Sequence, residues 1–113
     1  MPEHGNEEAH FRLLKLLEAE PDLSQREIAE RLGISLGKVN YCVRALIDKG
    51  LVKAKNFYQN PVKRSYLYIL TPQGAAEKAA MTLRFLRRKE AEHRALMNEI
   101  KVLREEVKKN AKK

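Results

Sequence analysis

Lys38, Asn40, Tyr41 and Arg44 crowd into a seven-residue stretch, and their side chains offer the chemistry of base recognition. An arginine can donate two hydrogen bonds to guanine O6 and N7, and an asparagine can pair with adenine N6 and N7. Periodicity decides whether they could be presented together. If Val39, Val43, Leu46 and Ile47 face a core, 100° per residue turns Gly37, Asn40, Tyr41, Arg44 and Asp48 outward. Lys38 and Ser35 flank that arc at the helix start, while Asp48 sits at its far end, away from any phosphate. Gly37 costs helix stability, about 1 kcal/mol against alanine. The absence of a side chain there would let the backbone come close to a duplex. A merely solvated face would carry similar residues, so the reading depends on what surrounds it.

Two further groups surround it. Lys53, Lys55, Lys63 and Arg64, with Gln59 and Asn60, could contact phosphate or the minor groove. Lysines also protect sheet edges from aggregation, which is the competing explanation. Ser24, Gln25 and Arg26 open another helix, where free amides and an arginine would make a phosphate clamp. The charge follows the same geography. Residues 35–64 carry 7 basic and 1 acidic side chains, whereas residues 1–34 carry 4 and 8. The chain as a whole has a formal net charge of +8. An anionic partner is implied, and the pattern favours double-stranded DNA.

Other chemistries find little support. His4, His10 and His93 are scattered without metal-ligand spacing, and no nucleophile motif or phosphate-cradling glycine loop occurs. No catalytic residue, metal or cofactor is expected, and the sequence names no small-molecule effector. Cys42 is the only cysteine, so no internal disulfide can form. It falls on the core-facing side of its helix, where a thiol is more often inert packing than a redox switch. The start, Met1-Pro2-Glu3-His4, is polar, and the apolar run Tyr66–Leu70 is far too short to span a bilayer. A cytoplasmic protein with no membrane partner is expected.

The elements that would position these residues are legible from their boundaries. Asn6 can cap a helix to about Ala19, and Pro21 ends it. Ser24–Glu27 is a capping box, followed by Ile28, Ala29 and Leu32 and then Gly33 as terminator. Ser35 caps the next helix, which runs to about Lys49 and stops at Gly50. Two short capped helices around Leu32-Gly33-Ile34-Ser35 spell a helix-turn-helix. Leu51–Phe57 and Ser65–Leu70 read as strands joined by a seven-residue tip, Tyr58–Arg64, and so form a wing.

Thr71-Pro72 starts a last helix that reaches about Asn110, on the order of 55–60 Å long. Ala75, Ala76, Ala79, Ala80, Leu83 and Leu86 are expected to pack its first half against the winged domain. His93, Leu96, Ile100, Leu103, Val107 and Asn110 then recur at alternating three- and four-residue steps, a coiled-coil seam. With Leu83 and Leu86, this seam is expected to join two copies into a homodimer. The fold class is therefore mainly α with a small β-hairpin: a winged helix-turn-helix domain over 6–71, a C-terminal dimerisation helix over 72–110 and a frayed basic tail over 111–113. A winged-helix module that binds protein and assembles through the same helix is the rival reading. RNA binding is a third, and neither explains where the positive charge lies.

The runs Ser24–Ser35, Val39-Asn40-Tyr41 and Leu46–Val52 resemble MarR-type winged-helix repressors, and Leu70-Thr71-Pro72-Gln73-Gly74 is similar to that family's wing-to-helix junction. The segment Asn40–Phe57 most resembles a compact subgroup associated with exopolysaccharide gene clusters. The resemblance implies a homodimeric transcription regulator, of exopolysaccharide or capsule genes. Typical members of the family dimerise through helices from both chain ends and hold aromatic ligands beneath that platform. Here the expectation is a single C-terminal helix, which puts the ligand pocket in doubt.

Overall fold

The computed structural model describes residues 3–60 and 63–112, with side chains at 7–56 and 66–112. Its elements are α1 (Glu3–Ala19), α2 (Gln25–Leu32), α3 (Leu36–Asp48), β1 (Val52–Asn60), β2 (Lys63–Leu70) and α4 (Pro72–Ala111). This is the expected class, mostly helical with one antiparallel hairpin. Two compact units divide the chain, Met1–Met81 and Thr82–Lys113.

Within the first unit the helices start and stop where side chains satisfy their free backbone groups. Ser24 Oγ accepts from Glu27 N–H at 3.1 Å while Glu27 Oε1 accepts from Ser24 N–H at 3.0 Å, a complete capping box. The hydrogen bonds that the Glu27 carboxylate receives from the Ser24 backbone and side chain hold it below its ordinary pKa. Gly33 ends α2 in the left-handed region at φ 67°, and its N–H donates to the Ala29 carbonyl. Ser35 Oγ accepts from Lys38 N–H at 3.1 Å and starts α3. Arg12 donates to the Leu32 carbonyl at 2.9 Å, and Arg31 pairs with Glu20, so α1 and α2 are joined at their edges.

The core is apolar and continuous through the helices and the hairpin root. Leu13, Leu14 and Leu17 of α1 are buried with Leu23, Ile28, Val39, Cys42, Val43 and Leu46, and Val52, Tyr68 and Met81 complete the set. Burying a residue of this size is worth about 1.5–3 kcal/mol. α1 begins at Glu3, so Asn6 lies inside the helix and does not cap it. An interior asparagine costs only a fraction of a kcal/mol, too little to hold a boundary.

His10 is the one buried polar side chain among the described residues, and its Nε2 has no hydrogen-bond partner. Burial pushes its pKa below 6.5, and the charges of Lys49 and Lys38 push the same way. The native state therefore prefers the neutral ring. As pH falls through about 6.5 the unfolded chain gains a proton that the folded chain resists, so the stability tied to a neutral His10 is present above that pH and is lost below it. Urea unfolding at pH 7.5 and pH 5 should show a falling midpoint for the native protein and a smaller fall for His10→Leu. Equal falls in both proteins would exonerate His10.

The strands of the hairpin run farther than the sequence suggests. The ladder pairs Val52 with Leu70 and Ala54 with Tyr68, and continues through Tyr58↔Arg64 to Asn60↔Lys63, with an irregularity between Tyr58 and Asn60. The expected seven-residue tip, Tyr58–Arg64, is thus largely strand. Weak strand formers such as Gln59 and Asn60 are carried along because each added ladder bond satisfies backbone groups. Pro61 and Val62 lie outside the described residues.

The start of α4 is seated by its backbone. Thr71 Oγ1 donates to the Gly50 carbonyl at 2.6 Å and accepts from Gly74 N–H at 3.0 Å, while Thr71 N–H donates to the Leu51 carbonyl at 3.0 Å. A Cβ on Gly74 would lie 1.9 Å from the Leu51 oxygen, so only glycine fits. This seating corrects the expected packing face. Gly74 and Met81 turn inward and Lys78 pairs with Glu18 at 2.6 Å, whereas Ala75, Ala76, Ala79 and Ala80 are exposed.

In the second unit Leu83, Leu86, Leu96, Met97, Val102, Leu103 and Val107 are exposed along α4, and Arg88 lies over the Phe85 ring. No described helix is long and apolar enough to cross a membrane.

Candidate nucleic-acid interface

α3 has two chemically distinct sides. Val39, Cys42, Val43 and Leu46 are buried, with Ile47 half-buried, which is the side expected to face inward. Ser35, Gly37, Lys38, Asn40, Tyr41, Arg44 and Asp48 are exposed, and Tyr41 keeps 64% of its surface open. Among the described residues, nothing beyond the neighbouring backbone of α3 lies within 4 Å of a Cβ placed on Gly37, so no packing seen there requires that glycine. The Ser35 oxygen is used as a cap, yet its O–H can still donate to a phosphate.

Asn40 does not stand alone. Its Nδ2 donates to Gln25 Oε1 at 3.2 Å, and Gln25 Nε2 donates in turn to the Tyr68 hydroxyl at 3.2 Å. Tyr68 is itself anchored, with its ring buried, its N–H donating to the Pro21 carbonyl at 3.0 Å and Tyr66 stacked beside it at 6.3 Å. A chain of side-chain bonds therefore runs from the hairpin root through the start of α2 to the outer face of α3. Asn40 keeps its Oδ1 and one N–H, the pair that adenine recognition needs.

Sequence reasoning placed Gln25 in a phosphate clamp and missed this brace. The available signal was the position of Gln25 directly after a capping serine, which in a helix-turn-helix brings it near the first turns of the second helix. Arg26, next in line, is exposed at the amino end of α2.

Lys53 and Lys55 are exposed and two residues apart on β1, so they share one face of the hairpin. Val52, Ala54 and Asn56 alternate with them and lie opposite Leu70, Tyr68 and Tyr66. The side chains of Gln59, Asn60, Lys63 and Arg64 lie outside those described. Cys42 is buried under α3, and burial pushes its thiol up, away from the thiolate that redox chemistry uses.

A family of winged helix-turn-helix DNA-binding domains matches residues 7–53. No curated protein is similar enough to this chain to count as a match. Among solved structures, the PcaV transcriptional regulator from Streptomyces coelicolor, in complex with its natural ligand, is 29% identical, with 74% of this chain and 57% of that one covered and a TM-score of 0.65. Wild-type MarR from E. coli in its apo form is 26% identical, with 65% and 53% covered and a TM-score of 0.54. Streptococcus pneumoniae FabT, in complex with DNA, has the same fold at 18% identity, with 81% and 57% covered and a TM-score of 0.54. This chain thus spans a little over half the length of these regulators.

Proposed function

We propose, from the winged helix-turn-helix domain that this chain carries, that it is a MarR-type transcriptional regulator and binds double-stranded DNA as a homodimer in the cytoplasm. The observation that carries the reading is the two-sidedness of α3. Val39, Cys42, Val43 and Leu46 are consumed by the core, while Lys38, Asn40, Tyr41 and Arg44 are held outward with Asn40 braced by Gln25.

In this reading the first turns of α3 enter the major groove, where Arg44 reads guanine and Asn40 adenine. Ser35 and Lys38 meet phosphate beside them, and Arg26 with the amino end of α2 spans the neighbouring backbone. Lys53, Lys55, Asn60, Lys63 and Arg64 make the hairpin a wing along the minor groove. Copies joined through α4, using Leu83, Leu86, His93, Leu96, Ile100, Leu103 and Val107, would address half-sites roughly one helical turn apart. The likeness of Asn40–Phe57 to exopolysaccharide-associated regulators supports such genes as the target.

The direct test is fluorescence anisotropy with duplex DNA at two salt concentrations. Tight binding whose logarithm falls linearly with log salt supports the reading. Absent or salt-insensitive binding would sink it and favour the protein-partner alternative. Lys63→Ala/Arg64→Ala should weaken binding to all sequences alike and reduce the salt slope by about 2, roughly one per phosphate contact. An unchanged slope would remove the wing tip from the interface.

Gly37 gives a sharper check because stability and binding should move apart. With open space at its Cβ, Gly37→Ala should stabilise the fold by about 0.5–1 kcal/mol. The same methyl should weaken duplex binding if the backbone approaches the DNA closely. Thermal melting and anisotropy on one preparation measure both, and a stabilised variant with undiminished affinity would take Gly37 out of the interface.

A further inference from the structure

We propose that the C-terminal half of α4 pairs with a second copy of this chain as a parallel, in-register, two-stranded coiled coil over His93–Asn110. The proposal rests on the homodimer reading and adds its direction and register. α4 is continuous helix to Ala111, and Leu96, Leu103 and Val107 leave 53%, 59% and 66% of their surfaces open. Written in heptads, His93, Ile100 and Val107 take position a, and Leu96, Leu103 and Asn110 take position d.

The apolar layers set the strand number and the flanking charges the direction. Ile100 and Val107 at a with Leu96 and Leu103 at d is, in a parallel coiled coil, the combination that favours two strands: the β-branched side chains suit the a layers and leucine the d layers. The g positions are Glu92, Glu99 and Glu106, and the e positions are Met97, Arg104 and Ala111. In a parallel pair each g residue faces the other copy's next e residue, so Glu99 meets Arg104 on both sides of the axis. In an antiparallel pair g faces g and e faces e. With position 93 opposite 110, Glu99 of one copy would face Glu106 of the other on both sides of the axis, and Arg104 would face Met97 and lose its carboxylate partner. Like charges brought together in this way are a strong device against the wrong pairing.

The ends are marked as well. Polar layers at His93 and Asn110 bracket the apolar layers, and Lys89 at the preceding d position closes the seam on its amino side. A shift of one heptad would set a polar layer against an apolar one, so the polar brackets fix the register.

Cross-linking of full-length protein tests direction and register together. His93 and Asn110 are about 25 Å apart along the helix axis. A disulfide needs Cα atoms within about 4.4–6.8 Å. In a glutathione redox buffer, His93→Cys and Asn110→Cys should each give a covalent dimer with itself, while their mixture gives no 93-to-110 product. The native protein, whose Cys42 is buried, is the background. A mixed product without either self-linked one means antiparallel pairing and overturns the proposal. A dimer by sedimentation that forms none of these links also overturns it, leaving the homodimer reading to another surface. A native monomer would overturn both.

Glu99→Arg gives an independent sign. It should weaken self-association several-fold, because the new guanidinium would then face Arg104 of the other copy, and adding Arg104→Glu should restore it. Stronger association of the single variant is the antiparallel result, since arginine at that position would then face Glu106 of the other copy.

Discussion

Cutting the chain after Glu92 is expected to leave a folded monomer whose affinity for a two-half-site duplex falls by about 10²–10⁴-fold. The fold should survive because the described buried side chains all lie between His10 and Met81. What the cut removes is Leu96, Ile100, Leu103 and Val107, which contribute nothing to that core. Once one domain of a linked pair is docked, the other searches for its half-site at high effective concentration. Unlinked domains must each bind from solution. Sedimentation velocity with anisotropy on the truncated protein measures both quantities. A dimer that survives the cut, or an affinity that does not change, would put the association surface elsewhere.

Arg44→Ala is expected to cost about 1–3 kcal/mol per half-site, concentrated at one base pair. The side chain is exposed on the outer face of α3 and away from the core, so its loss should leave melting nearly unchanged. Asn40→Ala should cost a similar amount at a different base pair, with a small structural penalty from the lost bond to Gln25. The measurement is binding to an operator obtained by site selection and to a panel of its single-base variants. Relaxed preference at one position marks a base contact. A uniform loss across the panel would reduce Arg44 to a phosphate contact, the behaviour expected of Lys63 and Arg64.

Elements with chemical punctuation were the ones the sequence made legible. Ser24 with Glu27, Gly33, Ser35 and Thr71 each offer the backbone a partner or a conformation that few residues can, so α2, α3 and the start of α4 fall where expected. The outward arc of α3 was readable for a related reason. Four strongly apolar residues at helical spacing leave one orientation that buries them all. Where punctuation is weak the reading drifted. Asn6 competes poorly with a helix that simply continues, and Tyr58 to Asn60 lack a residue that would force the ladder to stop.

The first turns of α4 failed for a different reason. Alanine is a strong helix former but adds little apolar area, so Ala75, Ala76, Ala79 and Ala80 mark a helix without saying which side is buried. The side is set by Gly74, and only because the Leu51 carbonyl occupies the space where a side chain would be. That is a contact between distant residues, invisible to periodicity. The Gln25 brace is of the same kind, since its partners Asn40 and Tyr68 lie on two other elements.

Cys42 is 2% exposed on the underside of the helix that carries Asn40 and Arg44. A thiol reagent can reach it only when that helix lifts away from its bed. The alkylation rate is therefore a native stopwatch for detachment of α3, requiring no label or engineered residue. A duplex gripping the opposite side should slow that stopwatch in proportion to its occupancy, turning one hidden sulfur into a reporter of binding.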